Sequence, residues 1–252
     1  MALYKTDAIV LGHRNLGEAD KILTLFSPDR GKIHAVARGV RRPRNPILAG
    51  SQLFSYSKFL IVEGRNLDSI SQCEIKESFY KIRQNLESMA YGLYFAELLR
   101  ASTPVEDKNR ELFRFFLKTM YLLQEMEDKE ILSRIYEIKL MAIQGFAPEV
   151  FVCVNCGRKV SDKISFSPAM GGILCHDCKK QGAVSITPDT LSVLQKMLTM
   201  TYEELKDITL NKYTREQLSE ILSLFISHQI DRKLKTVEFI KDVKKLNIKS
   251  GL

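Results

Sequence analysis

Along residues 4–76 apolar and polar side chains alternate with the two-residue period of half-buried strands. Tyr4–Leu11, Lys21–Phe26, Lys32–Val40, Phe54–Glu63 and Leu67–Ile75 each read as one strand. Turn signals separate them: Asn15-Leu16-Gly17, Ser27 through Gly31, Pro43 through Pro46, and Gly64-Arg65-Asn66. Five strands with no helix-period stretch among them predict a small closed β-barrel. An OB-type barrel has that strand count. Strand order is not legible in the pattern, so an SH3-like barrel fits the same elements.

From residue 78 the period changes to that of helices. Leu86, Met89, Ala90, Leu93, Ala96 and Leu99 mark a helix over Leu86–Arg100, and Leu112, Phe113, Phe116 and Leu117 mark the next. Phe113, Phe115, Phe116 and Tyr121 are expected in the core of a helical bundle. Asp128 is placed to cap a third helix, Lys129–Gln144, closed by Gly145 and Pro148. Thr187-Pro188 reads as N-cap and first residue of a helix over Asp189–Met200, and Asn211–Arg232 carries a further apolar face. Lys233–Lys249 is lysine-rich and reads as a loose, solvated tail or as an electrostatic extension.

Between these helical segments stands Cys153-x-x-Cys156, then eighteen residues beginning with Gly157, then Cys175-x-x-Cys178. Paired thiolates three residues apart, twice over, supply the four corners of a tetrahedral zinc site. Four thiolates leave no open coordination position, so the expected ion is structural. Gly157 falls where a knuckle turn favours positive φ, and Gly171 and Gly172 suit a chain doubling back. His176 lies between the second pair and reads as a solvated neighbour rather than a ligand. Two disulfides or four core thiols are the plainer alternatives. However, four of the chain's five cysteines fall in this one stretch, unlike a cysteine-dense secreted scaffold. Cys73 reads as a small core residue.

The expected architecture is therefore α+β: an N-terminal five-stranded OB-type β-barrel, then an α-helical domain interrupted by a four-cysteine zinc knuckle. The boundaries are 1–78 for the barrel, 79–150 for the first helical part, 151–182 for the zinc-binding insert, and 183–252 for the second helical part with its basic tail. No apolar run approaches a membrane span and no signal-peptide pattern opens the chain. With a thiolate site and one lone cysteine, a reducing cytoplasm is the expected compartment.

A formal charge of +8 favours a polyanionic partner, and it is unevenly spread. Residues 1–80 hold 12 basic and 8 acidic side chains, residues 81–150 hold 10 and 11, and residues 151–252 hold 16 and 11. Arg30, Lys32, Arg38, Arg41, Arg42 and Arg44 are unopposed by any acidic residue between 30 and 44. Lys32, His34, Val36 and Arg38 alternate with Ile33, Ala35 and Ala37, which puts the first set outside the barrel. Arg41, Arg42 and Arg44 follow in a proline-broken loop. A basic strand face running into a basic loop suits a nucleic-acid backbone, with His34 placed to stack on a base and Arg14 and Lys21 as additions. The plainer reading is a charged face that keeps a sheet edge from aggregating.

Several runs together resemble the RecO family of bacterial recombination and DNA-repair mediators: Asp7-Ala8-Ile9-Val10-Leu11 with Glu18, Asp20 and Ile22; Gly31-Lys32-Ile33-His34-Ala35-Val36-Ala37-Arg38-Gly39 with the arginine-rich loop; and Tyr136-Glu137-Ile138-Lys139-Leu140 followed by Gly145-Phe146-Ala147-Pro148 and Cys153-x-x-Cys156-Gly157. The last run, helix into knuckle, is the most specific. The resemblance implies an OB-fold, a helical domain and a zinc module. It implies binding of single- and double-stranded DNA and annealing of complementary strands. It also implies action with RecR and RecF to load RecA onto DNA coated by single-strand-binding protein, whose C-terminal tail docks in the helical domain. The setting would be the bacterial cytoplasm, at the nucleoid.

Two other classes remain to be weighed. A non-catalytic docking scaffold would use the helices and knuckle to bind protein, with the barrel as a platform and no direct DNA role. A metal-dependent nuclease would need converging carboxylates. Glu18 and Asp20 are the one close acidic pair near the basic face, and a tight turn is a poor cage for Mg²⁺. No phosphate loop, HExxH or nucleophile elbow is present, so no enzyme is expected.

Overall fold

The structure is a computed structural model that describes residues 2–205, 208–230 and 233–250, with side chains through residue 246. It has two compact units: Met1–Glu125 together with Leu234–Leu252, and Met126–Lys233.

In the first unit five strands close a barrel: β1 (Leu3–Leu16), β2 (Asp20–Ser27), β3 (Gly31–Ala37), β4 (Tyr56–Val62) and β5 (Asp68–Glu77). Their order is β1-β2-β3-β5-β4, closed by β1 against β4. Neighbouring pairs are antiparallel except β3 and β5, which run parallel at Ala35–Asp68 and Val36–Ser69. That order decides for the OB-type barrel over the SH3-like one. Alternation fills the interior as expected, with Ala8, Val10, Leu23, Leu25, Ile33, Ala35, Ala37, Phe59 and Ile61 buried. Val40 and Ile47, from the turn-rich segment between β3 and β4, join the same core.

Helices α1 (Tyr80–Gln84), α2 (Leu86–Ser102) and α3 (Arg110–Glu125) belong to this unit. The expected apolar face of α2 is only part of what it buries. Tyr91, Tyr94, Phe95 and Leu98 are also buried, whereas Leu86, at its first turn, is exposed. The phenylalanines of α3 do not build a helical bundle core. Phe113 and Phe116 lie on the barrel wall, 5.8 and 6.4 Å from Phe26 between ring centroids, and Phe113 also meets Tyr56. Tyr121 reaches the surface and packs edge to face on Phe79.

Nor is the end of the chain a loose tail. Thr236–Ser250 forms helix α8, which packs on α2. Leu234 and Val243 are buried and Val237 and Ile240 half-buried, a three-residue apolar spacing hidden among lysines. Lys235, Lys241 and Lys245 are exposed, whereas the Lys249 side chain lies outside the described residues.

In the second unit α4 (Lys129–Ile143), α5 (Pro188–Thr199) and α7 (Lys212–Gln229) pack on one another, with a short α6 (Tyr202–Leu205). The caps fall where expected: Asp128 accepts from Ile131 N–H, Thr187 from Thr190 N–H, and Asn211 from Thr214 N–H. Arg232, the expected end of the last of these helices, lies outside the described residues. A three-stranded sheet, β6 (Ser165–Ser167), β7 (Gly172–Leu174) and β8 (Val184–Ser185), has the order β7-β6-β8. Phe166 from this sheet meets Phe225 of α7 edge to face at 6.0 Å. Buried Gln217 of α7 accepts from the Thr190 hydroxyl at 2.6 Å and donates to Ser185 O at 3.1 Å.

Candidate nucleic-acid interface and thiolate cluster

The register of the barrel brings the expected basic residues towards one end. Arg14 on β1 stands opposite Ile22, and Ile22 opposite Val36. Lys21 stands opposite Ala37, where β3 runs out into Arg38. The loop beyond is tied to the β1–β2 turn. Gly39 N–H donates to the Asp20 carboxylate at 2.7 Å, Arg41 N–H to Ala19 O at 2.9 Å, and the Arg41 guanidinium to Gly17 O at 3.3 Å. Asn45 fixes the next turn by donating to Arg38 O and accepting from Ile47 N–H. Arg38, Arg41, Arg42 and Arg44 are exposed. Among the described residues none of Arg14, Lys21, Arg38, Arg41, Arg42 and Arg44 forms an ion pair. This uncompensated charge sits beside the β2–β3 face, the side of an OB barrel suited to an oligonucleotide.

Arg30 and Lys32, at the start of the run between 30 and 44, are engaged outside the loop. Arg30 pairs with Glu63 at 2.9 Å and lies over the Tyr4 ring. Lys32 points its ammonium at the C-terminal end of α2, donating to Arg100 O at 2.8 Å and Thr103 O at 2.6 Å. A cation there meets the negative end of the helix dipole and last-turn carbonyls with no helical partner. Neither contact is visible in a local reading, because both partners lie far along the chain.

His34 is exposed on β3, with Nδ1 3.3 Å from the Thr24 hydroxyl. Burial, then Lys32, Arg14 and Arg100, push its imidazole below the ordinary histidine value. It also lines an open groove of about 440 Å³ on the β1–β3 face, together with His13, Arg14 and Thr24. Leu67, from the β4–β5 loop, and Arg100, from α2, complete the rim over Ile22. Arg100, Leu67 and His13 escape the sequence reading. The one available signal is Gly12, a glycine within a strand, which marks close approach of another group.

In the second unit the four cysteines converge. The ligand atoms of Cys153, Cys156, Cys175 and Cys178 all lie within 4.8 Å of one another, and none is in a disulfide. Four sulfurs about 2.3 Å from a central ion would be spaced by about 3.8 Å. Cys156 and Cys175 Sγ are 3.8 Å apart. Gly157 holds the first turn at φ 74° and donates to Cys153 O; Cys178 N–H donates to Cys175 O in the second. Asn155 and Arg158 donate to Cys178 and Cys156 Sγ, each at 3.4 Å. Contacts of this kind stabilise thiolates, and the Arg158 side chain and N–H hold the exposed Cys156 down at about 6. The donor set thus fits a thiophilic metal ion. His176 is not part of the cluster: it is exposed and lies 3.5 Å from Asp177.

Comparison with known proteins identifies the family. Two family models match the chain, "Recombination protein O N terminal" over residues 1–79 and "Recombination protein O C terminal" over residues 83–238. The chain belongs to the RecO family. It is 36% identical over 246 residues to the DNA repair protein RecO of Symbiobacterium thermophilum, an alignment covering 95% of this chain and 97% of that one. It is 37% identical over 242 residues to the RecO of Pelotomaculum thermopropionicum, covering 95% and 94%. With the RecO of Desulforamulus reducens it shares 34% identity over 254 residues, 100% of this chain and 99% of that one. Among the described residues no helix is long and apolar enough to cross a membrane.

Proposed function

We propose that this RecO-family chain is a DNA repair and recombination mediator that binds single- and double-stranded DNA through its barrel and anneals complementary strands. In concert with RecR and RecF it helps load RecA onto DNA coated with single-strand-binding protein, whose C-terminal tail it contacts. It works without covalent catalysis, in the bacterial cytoplasm at the nucleoid. The observation that carries this reading is the exposed set Arg38, Arg41, Arg42 and Arg44, with Arg14 and Lys21 beside it, all without ion-pair partners among the described residues. Phosphates laid along these side chains release condensed counterions, which gives affinity without sequence preference. Two strands neutralised on one surface repel each other less, so complementary segments meet and pair. Asp20, one of the two carboxylates a nuclease would need here, already accepts Gly39 N–H.

Cys153, Cys156, Cys175 and Cys178 would hold one zinc ion in a closed, structural site, which supplies folding free energy to the insert and no reaction step. Annealing of strands precoated with single-strand-binding protein tests the DNA and partner roles together. Acceleration by the protein is expected. Absence of acceleration, with no salt-dependent DNA binding, would leave a protein-docking scaffold instead.

A further inference from the structure

The groove over β1–β3 has a feature the basic loop does not share: one of its two arginines comes from a helix. Arg100 of α2 reaches across to β1, where its guanidinium lies against the backbone at Gly12. A Cβ at that position would collide with Arg100 Nη1, although the Gly12 backbone itself is ordinary. Gly12 is also where the β1–β2 register shifts, a bulge that opens the strand locally. The Arg100 side chain is half-buried, and among the described residues it has no hydrogen-bond or ion-pair partner. Burial lowers its proton affinity, and the charge of Glu97, one helical turn away, only partly offsets this. A half-covered guanidinium that reaches the groove and donates none of its N–H groups within the chain is placed to hold an anion entering there.

The rest of the lining matches one ligand chemistry. Arg14 adds a second cation, and no carboxylate lines the groove. Ile22 and Leu67 supply an apolar floor and wall, and His34 and Thr24 offer polar edges. A volume of about 440 Å³ falls within the range of small-molecule sites. Phosphate-binding cations around an apolar bed suit a nucleotide whose base is free of a partner strand.

We propose that this groove is a subsite for one nucleotide of a single strand, with Arg100 holding the phosphate and the base lying over Ile22 and Leu67. The proposal rests on the barrel's DNA-binding role and adds to it a residue from the helical part of the unit. The subsite separates single strands from duplexes, because a paired and stacked base has no face to lay on Ile22.

The test uses the full metal-loaded chain and fluorescence anisotropy with a labelled oligothymidylate, an abasic strand with the same number of phosphates, and a duplex. Arg100→Gln removes the charge but keeps the backbone carbonyl that receives Lys32. Gly12→Ala keeps Arg100 and displaces only its flexible tip. Each should weaken oligothymidylate binding about five- to tenfold and lower the log–log salt slope by about 0.7, the share of one phosphate contact on a single strand. Leu67→Ala should narrow the preference for oligothymidylate over the abasic strand, and duplex binding should change least. Wild-type affinity and slope in Arg100→Gln and Gly12→Ala would overturn the subsite while leaving the basic loop standing. No salt-dependent binding by the unaltered protein would overturn the DNA-binding reading itself.

Discussion

Glu97 Oε2 receives both the backbone N–H and the hydroxyl of Thr236, at 2.9 and 2.6 Å, while Oε1 receives the N–H of Lys235. A carboxylate in the middle of α2 thereby does for the first turn of α8 what an N-cap residue ordinarily does from its own chain segment, and it sits at the positive end of that helix.

Removing this carboxylate should loosen α8. Glu97→Ala is expected to cost about 1 kcal/mol, the usual scale for a lost helix cap, as read by thermal or urea melts at neutral pH.

The same contact should respond to acid. Burial alone would raise the Glu97 carboxyl, but the hydrogen bonds from Thr236 and Lys235 outweigh it and hold the group below its ordinary value. A carboxyl depressed in the folded state contributes its full stability above the unfolded value, near 4.3, and loses it as pH falls through the folded one. The stability gap between wild type and Glu97→Gln should therefore be constant from neutral pH down to about 5 and close below about 4.

Lys32 and the loop arginines should separate into two phenotypes. Arg41, Arg42 and Arg44 replaced together by alanine should weaken binding to every DNA sequence and reduce the single-strand salt slope by roughly 2, at about 0.7 for each contact. Lys32→Ala should leave that slope nearly intact and cost stability instead, about 1.5–3 kcal/mol for hydrogen bonds made by a charged group. Salt titrations by filter binding and urea melts on both variants check the division.

The thiolate cluster predicts one zinc ion per chain and thiols that react slowly with a disulfide reagent until a chelator is added. Cys153 is buried, so the insert should lose its fold when the ion leaves. A matching fall in melting temperature is the expected readout. Four freely reactive thiols in the untreated protein would rule the site out.

Much of this was written locally in the chain. Alternation is cleanest in β3, which has one wet and one dry face, whereas β1 and β2 read as apolar runs because Ile9, Leu11 and Phe26 are buried as well as the inward set. The doubled Cys-x-x-Cys marks the cluster, because tetrahedral thiolate geometry allows few spacings. Helix α2 is harder to read: Tyr91, Tyr94, Phe95 and Leu98 are buried on more than one side, and a helix covered that broadly has no single stripe for periodicity to detect. Helix α8 is masked by its lysines. The partners of Lys32 and Arg30, and the approach of Arg100 to Gly12, join residues dozens of positions apart. No local pattern encodes such contacts, and only the lone glycine in β1 hints at one.

The position of α8 bears on how the protein is made. The piece that covers α2 leaves the ribosome after the whole of residues 126–233, so a nascent barrel unit must wait, with the apolar surface meant for Leu234 and Val243 bare, until that later segment has been made. Chains stopped short of residue 236 would carry every loop arginine and all four cysteines yet present that sticky flank. Such products should be conspicuous to cellular proteases.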